Sequence, residues 1–168
     1  GFNINRDCGA MAPQSLKEAV KSNNAHAGIA LDGDADRIVL VDEKGKVVDG
    51  DQILGALANA WLKTDELNGG GIVTTVMSNL GLELYLNSKG LKLCRTHVGD
   101  RYVLEYMRQH GFNLGGEQSG HIIISEVLPV GDGLVTFIYC LKALAFFDTT
   151  LSKFKSENIE EYPQKLVN

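Results

Sequence analysis

Cysteine is sparse in this chain. Cys8, Cys94 and Cys140 are odd in number and far apart. They form neither a disulfide framework nor a CxxC metal knuckle, a usage that fits a reducing cytoplasm. Basic residues are also few, with 16 Lys and Arg against 21 Asp and Glu and a formal net charge of -5. Such a chain has no electrostatic drive toward nucleic acid or an anionic membrane surface, so any phosphate it binds is captured locally. No apolar run is long enough to span a bilayer, and the Gly1-Phe2-Asn3-Ile4-Asn5 start lacks the basic and apolar regions of a signal peptide. The histidines form no HExxH or other close pair, which argues against zinc. Nor is there the low hydrophobicity of disorder: 44% of residues are apolar and 22% charged. The 168 residues suit one compact domain or parts of two and are ample to bury a core.

The apolar periodicity gives an alternation of strands and helices. Leu16, Ala19 and Val20 mark a helix from Pro13 to Asn23. Ala27-Gly28-Ile29-Ala30-Leu31 has no polar face and reads as a buried strand of a parallel sheet. Ile38 to Asp42 and Val47-Val48 form a hairpin about Glu43-Lys44-Gly45-Lys46. Helices are expected over 52–62, 80–88, 101–110 and 134–147, with strands over 72–76, 91–96 and 121–124. This order predicts an α/β fold with three α/β/α layers and ligand loops at the carboxyl ends of strands. Gly1 to Asn5 reads as the end of a strand, and the charged tail from Leu151 to Asn168, with Pro163, as an interdomain linker. Both ends suggest a piece of a larger protein.

The densest chemistry lies in Asp32-Gly33-Asp34-Ala35-Asp36. In an extended chain, carboxylates two residues apart would stand about 6 to 7 Å from one another, too far to share an ion, so the loop must curl. Gly33 and Ala35 are small enough to permit that. Three hard oxygen donors then suit Mg²⁺, which keeps further positions for water or a phosphate oxygen. Arg37 is placed to offset part of the charge or to hold a phosphate bidentately. The plain alternative is an Asp-rich surface turn facing water. An EF-hand would use the same aspartates and Glu43, but Arg37 replaces its glycine and the flanks are strands. A haloacid-dehalogenase-like site would make Asp32 a nucleophile and Asp34 an acid/base group.

Two further loops complete the candidate site. In Gly116-Glu117-Gln118-Ser119-Gly120, alternation turns Glu117 and Ser119 to one side, a carboxylate and a hydroxyl suited to neighbouring sugar hydroxyls; a capped turn is the bland alternative. Thr96-His97-Val98-Gly99-Asp100-Arg101 joins a strand to a helix, where Asp100 would cap the helix and backbone N–H groups would meet an anion. His97 is either a polar ligand contact or merely solvated.

Together, Gly28 to Arg37, Val48-Asp49-Gly50-Asp51-Gln52-Ile53, Val98 to Val103 and Gly115 to His121 resemble the α-D-phosphohexomutase superfamily, and within it the bacterial phosphoglucosamine mutases. Thr75-Val76-Met77-Ser78-Asn79 and Gly131-Asp132-Gly133 favour that branch over phosphoglucomutase/phosphomannomutase. The resemblance implies residues 1–45 as the second half of domain 2, 46–150 as domain 3 and 151–168 as the link to domain 4. It implies Mg²⁺ on Asp32, Asp34 and Asp36, a catalytic Arg37, and a phosphosugar held by Glu117, Ser119, His97, Gly99 and Asp100. It further implies partner domains 1 and 4 of the same enzyme, the first carrying a phosphoserine, a homodimer at full length, and a cytoplasmic location. The implied reaction interconverts glucosamine 6-phosphate and glucosamine 1-phosphate through a bisphosphate, with this segment inactive alone. His97 departs from the Lys usual in that family, as does Pro129-Val130 from its threonines, and Cys8 to Pro13 is a loosened form of its loop. A non-catalytic module binding a divalent cation or a sugar phosphate is the alternative from a different class.

Overall fold

The computed structural model describes residues 2–165; Gly1 of the amino-terminal stretch and residues 166–168 of the tail lie outside them. Two sheets are built from seven strands among these residues. The first runs β1 (Ala27–Leu31), β2 (Ile38–Asp42), β3 (Val47–Val48), antiparallel throughout. The second has the order β5 (Lys92–Thr96), β4 (Gly71–Thr75), β6 (Leu114–Gly116), β7 (Ile122–Ile124). In it, β4 is parallel to β5 and β6, and β7 is antiparallel to β6. β1 is thus not in a parallel sheet. Residues 32–37 alone separate it from β2, whereas a parallel crossover needs a dozen residues or more. Its lack of a polar face has another cause: α1 (Gln14–Ser22) lies on one side, where Leu16 and Val20 crowd Gly28, and the main core on the other.

The second sheet shows its layering residue by residue. Ile72, Leu114, Ile122 and Ile124 join one cluster with α2 (Gly50–Thr64), α3 (Leu80–Ser88) and α5 (Gly133–Phe147). Their neighbours Val73 and Ile123 point the opposite way, onto Val103 and Met107 of α4 (Asp100–His110). Period-two alternation sends successive side chains to opposite faces, so the expected α/β/α layering is present. Ile38 and Leu40 of β2 share the larger core with Leu54 and Leu57 of α2.

Helix α2 lies at the centre, buried from Gly50 to Trp61. Asp49 and Gln52 start it with a reciprocal capping box, each side chain accepting the other's backbone N–H at 3.1 Å. The tail packs on the domain. Leu151–Asn158 forms α6, and Leu151, Phe154 and Ile159 are buried in the core. Its charges hid two apolar anchors at helical spacing, Leu151 and Phe154, and a third, Ile159, just past the helix end. At the other end, residues 3–7 form turns and bends rather than a strand, with Phe2 fully exposed.

Candidate active site

Two of the three chemistry-bearing loops are tips of antiparallel hairpins. Residues 32–37 cap the β1–β2 pair, and residues 117–121 cap the β6–β7 pair. The tips are joined directly: Arg37 and His121 form an isolated antiparallel bridge, and the Ile38 N–H donates to the Gly120 carbonyl at 3.1 Å. Gly120 has φ 95°, and a Cβ there would stand 2.0 Å from the Ile38 carbonyl oxygen, so only glycine permits the approach. Two loops some 85 residues apart in sequence thereby become one surface.

The acidic loop curls as required. Ala35 adopts the left-handed region at φ 61°, its N–H bonds the Asp32 carbonyl at 3.2 Å, and its own carbonyl takes the Gly133 N–H at 2.9 Å. The latter contact ties the loop to the start of α5, which Asp132 caps through Val135 N–H. A carboxylate oxygen from each of Asp32, Asp34 and Asp36 lies within 4.8 Å of the other two. Asp32 is further fixed by the Arg37 N–H at 3.1 Å, while Asp34 is exposed. Burial, then the hydrogen bond and charge of Asp32, push the Asp36 carboxyl above its ordinary pKa, against the pull of His121. Among the described residues Asp36 Oδ1 is buried without a hydrogen-bond partner. Clustered carboxylates with an unpaired buried oxygen fit a small hard cation, which would satisfy that oxygen and relieve the mutual repulsion.

Across the bridge, Glu117 is half-buried, with Oε1 accepting the Gly99 N–H at 2.9 Å and Oε2 lying 3.4 Å from the Ser119 hydroxyl. Gly99, at φ 130°, turns that amide toward Glu117. Arg37, Thr75, Met77, Val98, Glu117, Gln118 and Ser119 line a cleft of about 420 Å³. Arg37, Glu117 and Ser119 are therefore brought together, with Gly99 behind them. His97 is not among them. It is exposed on a neighbouring cleft with Arg95, Tyr102 and Tyr106, its ring 5.9 Å from that of Tyr102. Asp100 does not cap α4: Gly99 occupies the cap position, and Asp100 is the first helical residue, with no side-chain cap bond. Its carboxylate instead approaches His121 Nε2 at 3.8 Å.

His121 is the residue that motif reading passed over. It is buried, with Nδ1 3.0 Å from Asp36 Oδ2, and it packs against Gly131, where a Cβ would stand 2.6 Å from the ring. An imidazole hydrogen-bonded to Asp36 orients that carboxylate. Its place directly after Gly120 was the available signal, but its partner is distant in sequence.

Among known proteins, a family model described as "Phosphoglucomutase/phosphomannomutase, alpha/beta/alpha domain III" matches residues 49–162. The chain is 54% identical over its full 168 residues to the phosphoglucosamine mutase of Phenylobacterium zucineum (strain HLK1) and spans 37% of that relative's length. Of solved structures, the phosphoglucomutase/phosphomannomutase family protein of Burkholderia thailandensis superposes with a TM-score of 0.78 at 26% identity, over 88% of this chain and 32% of that one. The N-acetylphosphoglucosamine mutase of Aspergillus fumigatus, in complex with GlcNAc-6P and magnesium, matches with a TM-score of 0.70 at 22% identity. That match covers 96% of this chain and 41% of the other, and it shows the shared fold alone.

Proposed function

Because the chain belongs to the phosphoglucomutase/phosphomannomutase family, we propose that it carries the cation-binding and sugar-binding loops of a phosphoglucosamine mutase, an isomerase moving a phosphoryl group between positions 6 and 1 of glucosamine. The observation that carries this reading is the Arg37–His121 bridge, which joins the acidic loop to the 117–121 loop and sets Arg37 on one cleft with Glu117 and Ser119. The relatives' names support the substrate class, and the magnesium in the Aspergillus relative's structure supports the choice of ion.

In this reading Asp32, Asp34 and Asp36 hold Mg²⁺, which supplies positive charge against the oxygens of the transferring phosphoryl group. Arg37 offers its guanidinium to the same group from the cleft wall. Glu117 spends Oε1 on the Gly99 amide, while Oε2 accepts a long bond of 3.4 Å from the Ser119 hydroxyl, which sugar hydroxyls would replace. Such a pair reads two adjacent hydroxyls in either orientation of the sugar, as a reaction at both of its ends demands. Gly99 acts by orienting Glu117 and Asp100 by its approach to His121, while His97, on the neighbouring cleft, has no part in this reading. The phosphoserine and phosphate-binding domains of the relatives supply the rest, in a cytoplasmic enzyme with residues 151–165 leading toward the last domain.

The test is calorimetry of the chain with Mg²⁺ and glucosamine 1-phosphate. Asp34 is exposed, so Asp34→Asn leaves the fold intact and is expected to weaken Mg²⁺ by about tenfold or more. Glu117→Gln is expected to weaken the sugar phosphate and spare Mg²⁺. Sugar phosphate binding indifferent to Glu117→Gln would overturn the assignment of this loop.

A further inference from the structure

The cleft has two rims from different parts of the fold. Met77 lies in the turn after β4, and Gln118 at the tip of the β6–β7 hairpin. Gln164, exposed and far along the chain, touches both. Its Nε2 donates to the Met77 carbonyl at 3.0 Å, and its Oε1 accepts from Gln118 Nε2 at 3.3 Å. A primary amide has a donor end and an acceptor end, so one side chain can hold two unlike groups together.

The segment bearing Gln164 is itself held. Asn79 grips the Tyr162 backbone on both sides, its Oδ1 accepting the N–H at 3.0 Å and its Nδ2 donating to the carbonyl at 2.8 Å. The same Oδ1 takes the Gly81 N–H at the start of α3, and the Asn79 N–H donates to buried Asp51 at 2.6 Å. Gln52 Nε2 holds Glu161 at 2.6 Å. Residues 161 and 162 are thus fixed to the body of the domain. Gln164, two residues on, is placed within one strand repeat of that clamp, about 7 Å.

We propose that Gln164 is a positioning residue that braces the two rims of the cleft and so sets the spacing at which the 117–120 loop meets a sugar phosphate; the ligand part of this inference rests on the function proposed above. Exposed hydrogen bonds of this kind add little to global stability, so their effect falls on the local order of the loop.

The test uses Gln164→Ala and Gln164→Glu in the 168-residue chain. The carboxylate of the second keeps an acceptor for Gln118 but cannot donate to Met77. Both variants should unfold at the wild-type temperature and bind Mg²⁺ unchanged. Amide hydrogen exchange at residues 117–120 should quicken by about three- to tenfold without ligand, and glucosamine 1-phosphate should bind about three- to tenfold more weakly. Exchange at wild-type rates would overturn the brace. So would faster exchange with unchanged sugar-phosphate affinity, or a lowered melting temperature with both ligands weakened alike. If the wild-type chain binds no sugar phosphate, the functional reading fails, while the exchange experiment still decides the brace.

Discussion

Asp51 is a buried carboxylate placed where several forces compete, and Asp51→Asn shows which of them wins. It sits in the first turn of α2, 2% exposed, with Oδ2 accepting the Asn79 N–H at 2.6 Å. That bond and the helix N-terminus favour the charged form. Burial opposes them and prevails, with the charge of Asp49 adding to it, so the pKa is pushed up to about 6 from 3.8. The folded state therefore holds this proton more tightly than the unfolded chain does. The stabilisation is complete below pH 3.8 and is lost as pH rises through about 6. A shift of roughly two pH units corresponds to about 3 kcal/mol. Asparagine keeps an acceptor for the Asn79 amide and removes the charge, so Asp51→Asn should match wild type near pH 3.5 and exceed it by about 2 to 3 kcal/mol at pH 8. Urea unfolding of both proteins from pH 3.5 to 8 reads this directly, because titrating groups that do not interact with Asp51 cancel in the difference. A difference that does not change with pH, or a variant less stable than wild type at pH 8, would refute the reasoning.

Other outcomes follow from the same contacts. His121→Ala removes the imidazole that orients Asp36 and should weaken Mg²⁺ by about tenfold in calorimetry, while His121→Asn, able to donate to Asp36, should recover part of the loss. Glu43 anchors α6 through Ser152 and Thr150, and although burial opposes its charge, these hydrogen bonds hold its pKa below the usual carboxylate range. Glu43→Gln should therefore cost about 1 kcal/mol at pH 7 in chemical denaturation. A depressed carboxylate stabilises above its unfolded pKa and loses that contribution as pH falls through the folded value, so the cost should begin to shrink below the ordinary value of 4.5 and vanish below the lowered folded value.

Much of this protein was legible in the sequence. Helix and strand positions follow from local apolar spacing, which depends on neighbours within a turn or a pleat; β1 and β2 lie at the positions read from their apolar runs, and α3 spans the residues expected. The curl of the acidic loop followed from the spacing three aspartates need to share one cation, and the facing of Glu117 and Ser119 from alternation. What local pattern could not supply were facts about residues far apart. The antiparallel pairing of β1 depends on the short loop that joins it to β2, and that loop's join to the Gly120 turn depends on how the two sheets are set together. His121 gained its role from Asp36 at a separation of 85 residues, and Gln164 from Gln118 and Met77 at 46 and 87. The sequence by itself determined which residues carry charge, turn and apolar surface, because these are properties of single side chains and their near neighbours. Only the tertiary structure decided which of them meet, because the hydrophobic core that brings the hairpin tips together is shared by the helices and both sheets.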